Sequence, residues 1–179
     1  MARIFAGFAR IASRADSVQV AAVCYRRKES FVEFLLVKTS SGKWTFPKGR
    51  LNPSMSASES AAQEAWEEAG AQGRIAEKHF GSYMDTKRTL GHDAPTREIR
   101  IVTYLLEVSS TVAPEEIGRK PTWFAPRDAK RLLAEGRASV YGRQIARVVD
   151  LAVERLTIRK PGRARVLVGA QSRRLLPAR

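Results

Sequence analysis

Three glutamates, Glu64, Glu67 and Glu68, stand at i, i+3 and i+4 within residues 47–71, PKGRLNPSMSASESAAQEAWEEAGA. In a helix that spacing brings the carboxylates out on one face, within a turn of each other. Ser56 or Ser58 offers an N-cap and Gly70 a C-terminal stop, so a helix is predicted between them. Three clustered negative charges repel and cost stability unless a cation sits among them. Mg2+ is a hard ion that takes oxygen ligands, and phosphate-handling sites hold it with carboxylates and substrate phosphates together. Mn2+ accepts the same donors. Taken alone, such a triplet reads first as the solvated face of a surface helix.

The cations around it point to chemistry. Lys43, Lys48, Arg50, Lys87, Arg88, Arg97, Arg119 and Lys120 fall in or beside segments expected to flank the acidic helix. Any one of them reads as a surface residue. As a group beside metal ligands they suit phosphoanhydride cleavage, in which cations hold the non-reacting phosphates. Gly49 lets the loop before the helix approach it closely. No Gly-rich loop ending in Gly-Lys-Ser/Thr is present.

The elements that must position these groups follow from periodicity and turn residues. Residues 18–25, VQVAAVCY, read as a strand buried on both faces, with 31–37, FVEFLLV, as its hairpin neighbour. Residues 73–82 read as a strand and 85–97 as a polar, turn-rich loop. The run 98–108, EIRIVTYLLEV, is the clearest strand, followed by a loop at 114–120 and a short strand at 122–125. Helices are predicted at 126–135 and 140–156, the second with an apolar stripe facing the core. The alternation predicts an α/β fold, an α/β/α sandwich on a mixed β-sheet.

Gly49, Glu64, Glu67, Glu68 and Gly70 fit the pattern G-x5-E-x7-R-E-U-x-E-E-x-G-U, with Ala65 and Ala71 at the aliphatic positions. On these residues the chain resembles the Nudix family, through about residues 18–135. Met55 and Gln63 stand where the pattern has Glu and Arg. The resemblance implies that the missing pair braces the loop against the helix, while Glu64, Glu67 and Glu68 are catalytic metal ligands. Losing both members of a brace leaves no orphaned charge, so a metal site is expected to persist.

Residues 44–49, WTFPKG, and 116–124, EIGRKPTWF, with the PRDAKRLL helix after them, resemble the diphosphoinositol polyphosphate phosphohydrolase branch. That branch has a phosphate-binding lysine in the Gly-Arg-Lys run, which falls on Lys120. It usually has Gly-Gly after the Pro; the Lys48-Gly49 found here occurs also in members that cleave diadenosine polyphosphates. The resemblance implies a Mg2+-dependent hydrolase (Mn2+ as alternative) of diphosphoinositol polyphosphates, with diadenosine polyphosphates as a second class. A later carboxylate, Glu98, Glu115 or Glu116, is available as base. Two other readings stand beside it. One is a nucleotide or RNA 5′-end pyrophosphohydrolase, for which the loops are poor in aromatic base contacts. The other is a non-catalytic polyphosphate-binding module, against which all three glutamates argue.

The remaining features bound the answer. A chain of 179 residues, 44% hydrophobic and 28% charged, suits one domain with a sizeable core. Cys24 is the single cysteine and lies in an apolar run, which excludes an internal disulfide and points to a reducing, cytoplasmic setting. No apolar stretch reaches bilayer-spanning length. Of the net charge of +14, residues 1–15 carry +3 and residues 159–179 carry +7, leaving +4 for the body. The division expected is a basic segment at 1–16, a hydrolase domain at 17–158 and a basic tail at 159–179. The first segment resembles an amphipathic targeting or membrane-surface helix, and reads at least as well as a short packed helix or a disordered segment. The tails leave open a nucleic-acid partner beside a small polyphosphorylated substrate. His79 and His92 read as ordinary polar residues, and Met55, Met84, Trp66, Phe80 and Trp123 as packing residues, with Trp66 off the acidic face.

Overall fold

The computed structural model describes residues 18–88 and 96–158. The segments at 1–16 and 159–179, and His92, lie outside them. Eleven elements follow in order: β1 (Val18–Arg27), β2 (Val32–Lys38), β3 (Trp44–Thr45), β4 (Lys48–Arg50), α1 (Ala57–Ala69), β5 (Ala71–Ile75), β6 (Gly81–Arg88), β7 (Thr96–Thr111), β8 (Thr122–Phe124), α2 (Pro126–Ala134) and α3 (Ser139–Ile158).

β1 is the axis of the sheet. It pairs antiparallel with β2 and with β4, and parallel with β7 over Val18↔Arg100 to Tyr25↔Glu107. β7 also carries β5 and β6 antiparallel, and β2 carries β3 and β8, so the sheet is mixed. Alternation along β1 sorts its side chains between two cores. Ala21, Val23 and Tyr25 join Phe34, Leu36, Ile101, Leu133, Ile145 and Val149 beneath α2 and α3. Val20, Ala22 and Cys24 join Leu35, Val37, Tyr104 and Leu106 beneath α1. Helices therefore cover both faces, which is the α/β/α sandwich expected from the sequence. β1 is buried through seven consecutive residues because it is central and covered twice.

α1 meets the sheet through Ala61, Ala65 and Ala69, one residue per turn. Such small side chains bring the helix axis close to the strands but bury little area each, so its ends carry much of its definition. Ser56 accepts from the Glu59 backbone N–H and Glu59 reaches back to the Ser56 N–H, a complete capping box. Gly70 closes the helix in the left-handed conformation, φ 61°.

Three expectations need correction. The strand expected at 73–82 is two strands, since β5 stops at Ile75 and β6 begins at Gly81. The polar segment from 85 is strand as far as Arg88, because β7 is longer than its apolar run and offers a ladder out to Thr96. Pairing with a neighbour there outweighs local turn propensity. Met55 does not pack: it is exposed in the loop before α1. No helix among the described residues is long and apolar enough to cross a membrane.

Candidate active site

The acidic face of α1 looks onto β4 and the loop between β7 and β8. Gly49 lies so close to Glu64 that any side chain there would overlap the carboxyl group. The backbone N–H of Lys48 donates to Glu68 Oε2 at 3.1 Å. β4 thus holds two of the three glutamates, and its hold depends on the missing Cβ at Gly49.

The β7–β8 loop closes the site from the other side. A helix leaves its last carbonyls without intrahelical partners. Here the Glu67 carbonyl accepts from the Glu116 N–H at 2.9 Å, and the Gly70 carbonyl from the Val112 N–H at 2.9 Å. Docked in this way, the loop presents Arg119, whose guanidinium reaches Glu68 Oε1 at 2.6 Å and Glu116 Oε2 at 2.6 Å. The loop's turn is tight, with Gly118 at φ 87° and Lys120, exposed, at φ 50°.

Of the three later carboxylates, the structure brings Glu116 to the cluster. Glu115 accepts from Trp66 Nε1 at 2.8 Å, and Glu98 from the Tyr141 hydroxyl at 2.6 Å. The bond to Glu115 also gives Trp66 a role beyond packing, as a second tie between α1 and the loop.

Electrostatics matches this crowding. Burial, then the charges of Glu68, Glu67 and Glu116, push Glu64 up to about 7. Burial also raises Glu68, against the pull of Arg119 and the Lys48 N–H. Lys48 is held below the ordinary lysine range by burial, while Glu68 and Asp85 draw it the other way.

Gln63 occupies the position where the resemblance led us to expect arginine. Its Nε2 donates to Glu67 Oε1 at 2.7 Å, and its Oε1 accepts from Asn52 Nδ2 at 3.3 Å. The Asn52 backbone N–H donates in turn to Ser60 Oγ at 3.1 Å. A neutral amide chain therefore links loop to helix and orients Glu67, with Met55 left in solvent.

The other expected cations divide. Arg50 is exposed at the end of β4. Lys43 lies along Gly136, in the turn between α2 and α3. Arg97 is exposed on β7, opposite Lys87. The backbones of Lys87 and Arg88 belong to β6; their side chains lie outside the described residues. Sequence reasoning missed Arg137. Its buried guanidinium donates to the carbonyls of Trp44 (3.0 Å) and Leu133 (2.6 Å) and lies 3.5 Å from Asp85, which neighbours Lys48 electrostatically. A cation just after Gly136 was legible as a helix-end residue, but its return to β3 was not.

A hard divalent ion fits these donors in kind, since all are carboxylate oxygens. Among the described residues no three acidic, His or Cys side chains already converge as ligands would. Gln63 donates to Glu67, and Arg119 supplies positive charge to Glu68 and Glu116 in its own right.

The sequence profile of the NUDIX domain matches residues 16–144. Diphosphoinositol polyphosphate phosphohydrolase 2 of Rattus norvegicus is 31% identical over 122 residues, 64% of this chain and 62% of that protein. The 3-beta phosphohydrolase of Bos taurus is 30% identical over 121 residues, 64% of this chain and 68% of that protein. The chain thus spans about three-fifths to two-thirds of these relatives' length. Among solved structures, a Caenorhabditis elegans Ap4A hydrolase complex superposes with TM-score 0.53 at 20% identity, covering 75% of this chain and 98% of that one. The NUDIX domain of Shewanella oneidensis NrtR, bound to ADP ribose, gives TM-score 0.57 at 16% identity, covering 86% and 99%. At those identities the structures speak for the fold, and the profile for the lineage: this chain belongs to the Nudix hydrolase family.

Proposed function

We propose that this chain hydrolyses phosphoanhydride bonds in diphosphoinositol polyphosphates, with diadenosine polyphosphates as a second class, and depends on Mg2+ or Mn2+. The observation that carries the reading is Arg119, a phosphate-type ligand group held by two carboxylates, the buried Glu68 and the exposed Glu116. The names of the relatives support the substrate class, and Nudix hydrolases in general use divalent ions.

In this reading Glu64, Glu67 and Glu68 would hold the ion. When bound there, it supplies charge neutralisation on the reacting phosphate and acidifies water. Arg119 exchanges carboxylate for substrate phosphate, a swap between two oxyanions that its planar fork accepts equally well. That exchange releases Glu68 and Glu116 together. Glu116, freed, is the carboxylate that orients the attacking water and takes its proton at a carboxylate oxygen, while the bridging P–O bond breaks and the phosphorylated leaving group departs. Lys48, Arg50 and Lys120 hold the non-reacting phosphates. Gly49 keeps Glu64 in place, and Gln63 keeps Glu67 in place.

The test is phosphate release with Mg2+ from a diphosphoinositol polyphosphate, a diadenosine polyphosphate and a nucleoside triphosphate in parallel, with Glu67→Gln and Glu68→Gln as controls. The reading expects turnover of the first, reduced at least about 100-fold in both controls. Preference for the nucleoside triphosphate, or turnover that survives both substitutions, would overturn it.

A further inference from the structure

Away from the acidic face of α1, helices α2 and α3 line a shallow, open groove of about 700 Å³. Lys130 and Arg131 line it from α2, and Arg143, Gln144, Arg147 and Asp150 from α3. Four cations thus face one carboxylate. That carboxylate is already engaged, with Lys130 Nζ 2.8 Å from Asp150. Arg131 leans 3.6 Å from Asp128 on its own helix. Arg143 and Arg147 make no ion pair or hydrogen bond among the described residues, and both are exposed. They sit at i and i+4, where like charges repel and weaken the helix unless an anion lies between them.

We propose that this groove binds the phosphate backbone of single-stranded RNA. Two free guanidinium forks one helical turn apart can each take a phosphate of one strand, bidentately. The two forks stand about 6 Å apart along one helix axis, a spacing that suits neighbouring phosphates of one strand and is too short to bridge the two backbones of a duplex. A protein partner would need an apolar centre, yet Val140 is the one large exposed apolar side chain on the lining. A membrane surface would need exposed aromatic or leucine side chains on a convex face. RNA is taken as the source because its single strands and loops stand free of a duplex. The twenty-one residues following α3 carry seven cations and no acid, a charge suited to the same ligand. The groove is independent of the proposed hydrolysis, since none of its residues belongs to that site.

The experiment is fluorescence anisotropy with a labelled RNA strand of about 12 nucleotides, using the full chain across a salt series. Arg143→Gln/Arg147→Gln is compared with Arg27→Gln/Lys28→Gln in the β1–β2 hairpin, which removes the same charge elsewhere. The groove variant is expected to bind about tenfold more weakly and to flatten the salt slope by about 1.4, the value for two phosphates on a single strand. The hairpin variant should stay within about twofold. Arg147→Gln alone should lie between, which covers a double variant that folds poorly. Absence of RNA binding by the wild type overturns the proposal. So do equal losses in both pairs, tighter binding of duplex RNA, or a groove variant that loses only anionic vesicles of phosphatidylserine.

Discussion

Replacing Gly49 by alanine separates catalysis from stability. On the structure's backbone, every atom of the Glu64 carboxyl group would lie nearer to the new methyl than the 3.0 Å that real Cβ atoms keep. The obstacle is the free end of a flexible side chain, so the fold can yield by rotating Glu64 off its position. That rotation costs about 1 kcal/mol, or roughly 2–4 °C in Tm for a domain of this size. The same displacement, about 1 Å or more at a metal-type carboxylate, should lower kcat about 100-fold. Gly73→Ala is the counterpart. Its methyl would meet the Glu107 backbone carbonyl at the bulge between β5 and β7, where nothing can rotate away. Overpacking of that kind costs about 2 kcal/mol, roughly 4–8 °C, with kcat held within about threefold. The assays are thermal melts and single-turnover phosphate release for both variants. A Gly49→Ala protein that turns over normally, or one as destabilised as Gly73→Ala with kcat lost only in proportion to unfolding, would refute the argument that β4 positions Glu64.

Removing Arg119 as Arg119→Ala leaves Glu68, whose side chain is 4% exposed, without its counter-charge. The metal-free protein should lose about 3 kcal/mol, roughly 6–12 °C, and Mn2+ should restore most of it; an equal loss with and without Mn2+ would contradict the shared use of Glu68. Glu64, raised to about 7 against an ordinary carboxylate value of 4.5, binds its proton more tightly folded than unfolded. Its contribution to metal-free stability is therefore present below pH 4.5 and is lost as pH rises through 7. Melts between pH 4.5 and 7 should show this fall, and Glu64→Gln should flatten it; Mn2+ affinity should show the opposite trend, weakening as pH drops below 7. Gln63→Leu removes both bonds of the amide chain and should weaken Mn2+ binding, read by EPR, about 10–100-fold. Met55→Glu/Gln63→Arg, which restores a charged brace, should stay within about threefold; failure of that pair to bind would mean the amide chain is not interchangeable with it.

The local chemistry was legible before any fold was known. The i, i+3, i+4 spacing of Glu64, Glu67 and Glu68 needs only helical geometry, and Ser56 and Gly70 mark the helix ends through backbone preferences that act within a few residues. The double burial of β1 was likewise readable in an unbroken apolar run. Segment 73–88 was not, because its division into β5 and β6 depends on which stretches find a partner on β7. Three relations came from tertiary structure alone. Glu116 joins the cluster because the free carbonyl of Glu67 anchors its N–H, and nothing in its own sequence distinguishes it from Glu115. Gln63 finds Asn52, eleven residues earlier, through the path of the loop. Arg137 reaches Trp44 and Asp85 from ninety-three and fifty-two residues away. Side-chain identity and short-range geometry determine which groups can do chemistry. Which of them meet is decided by contacts between residues far apart in the chain, whose partners are set only when the sheet and its two helical layers close.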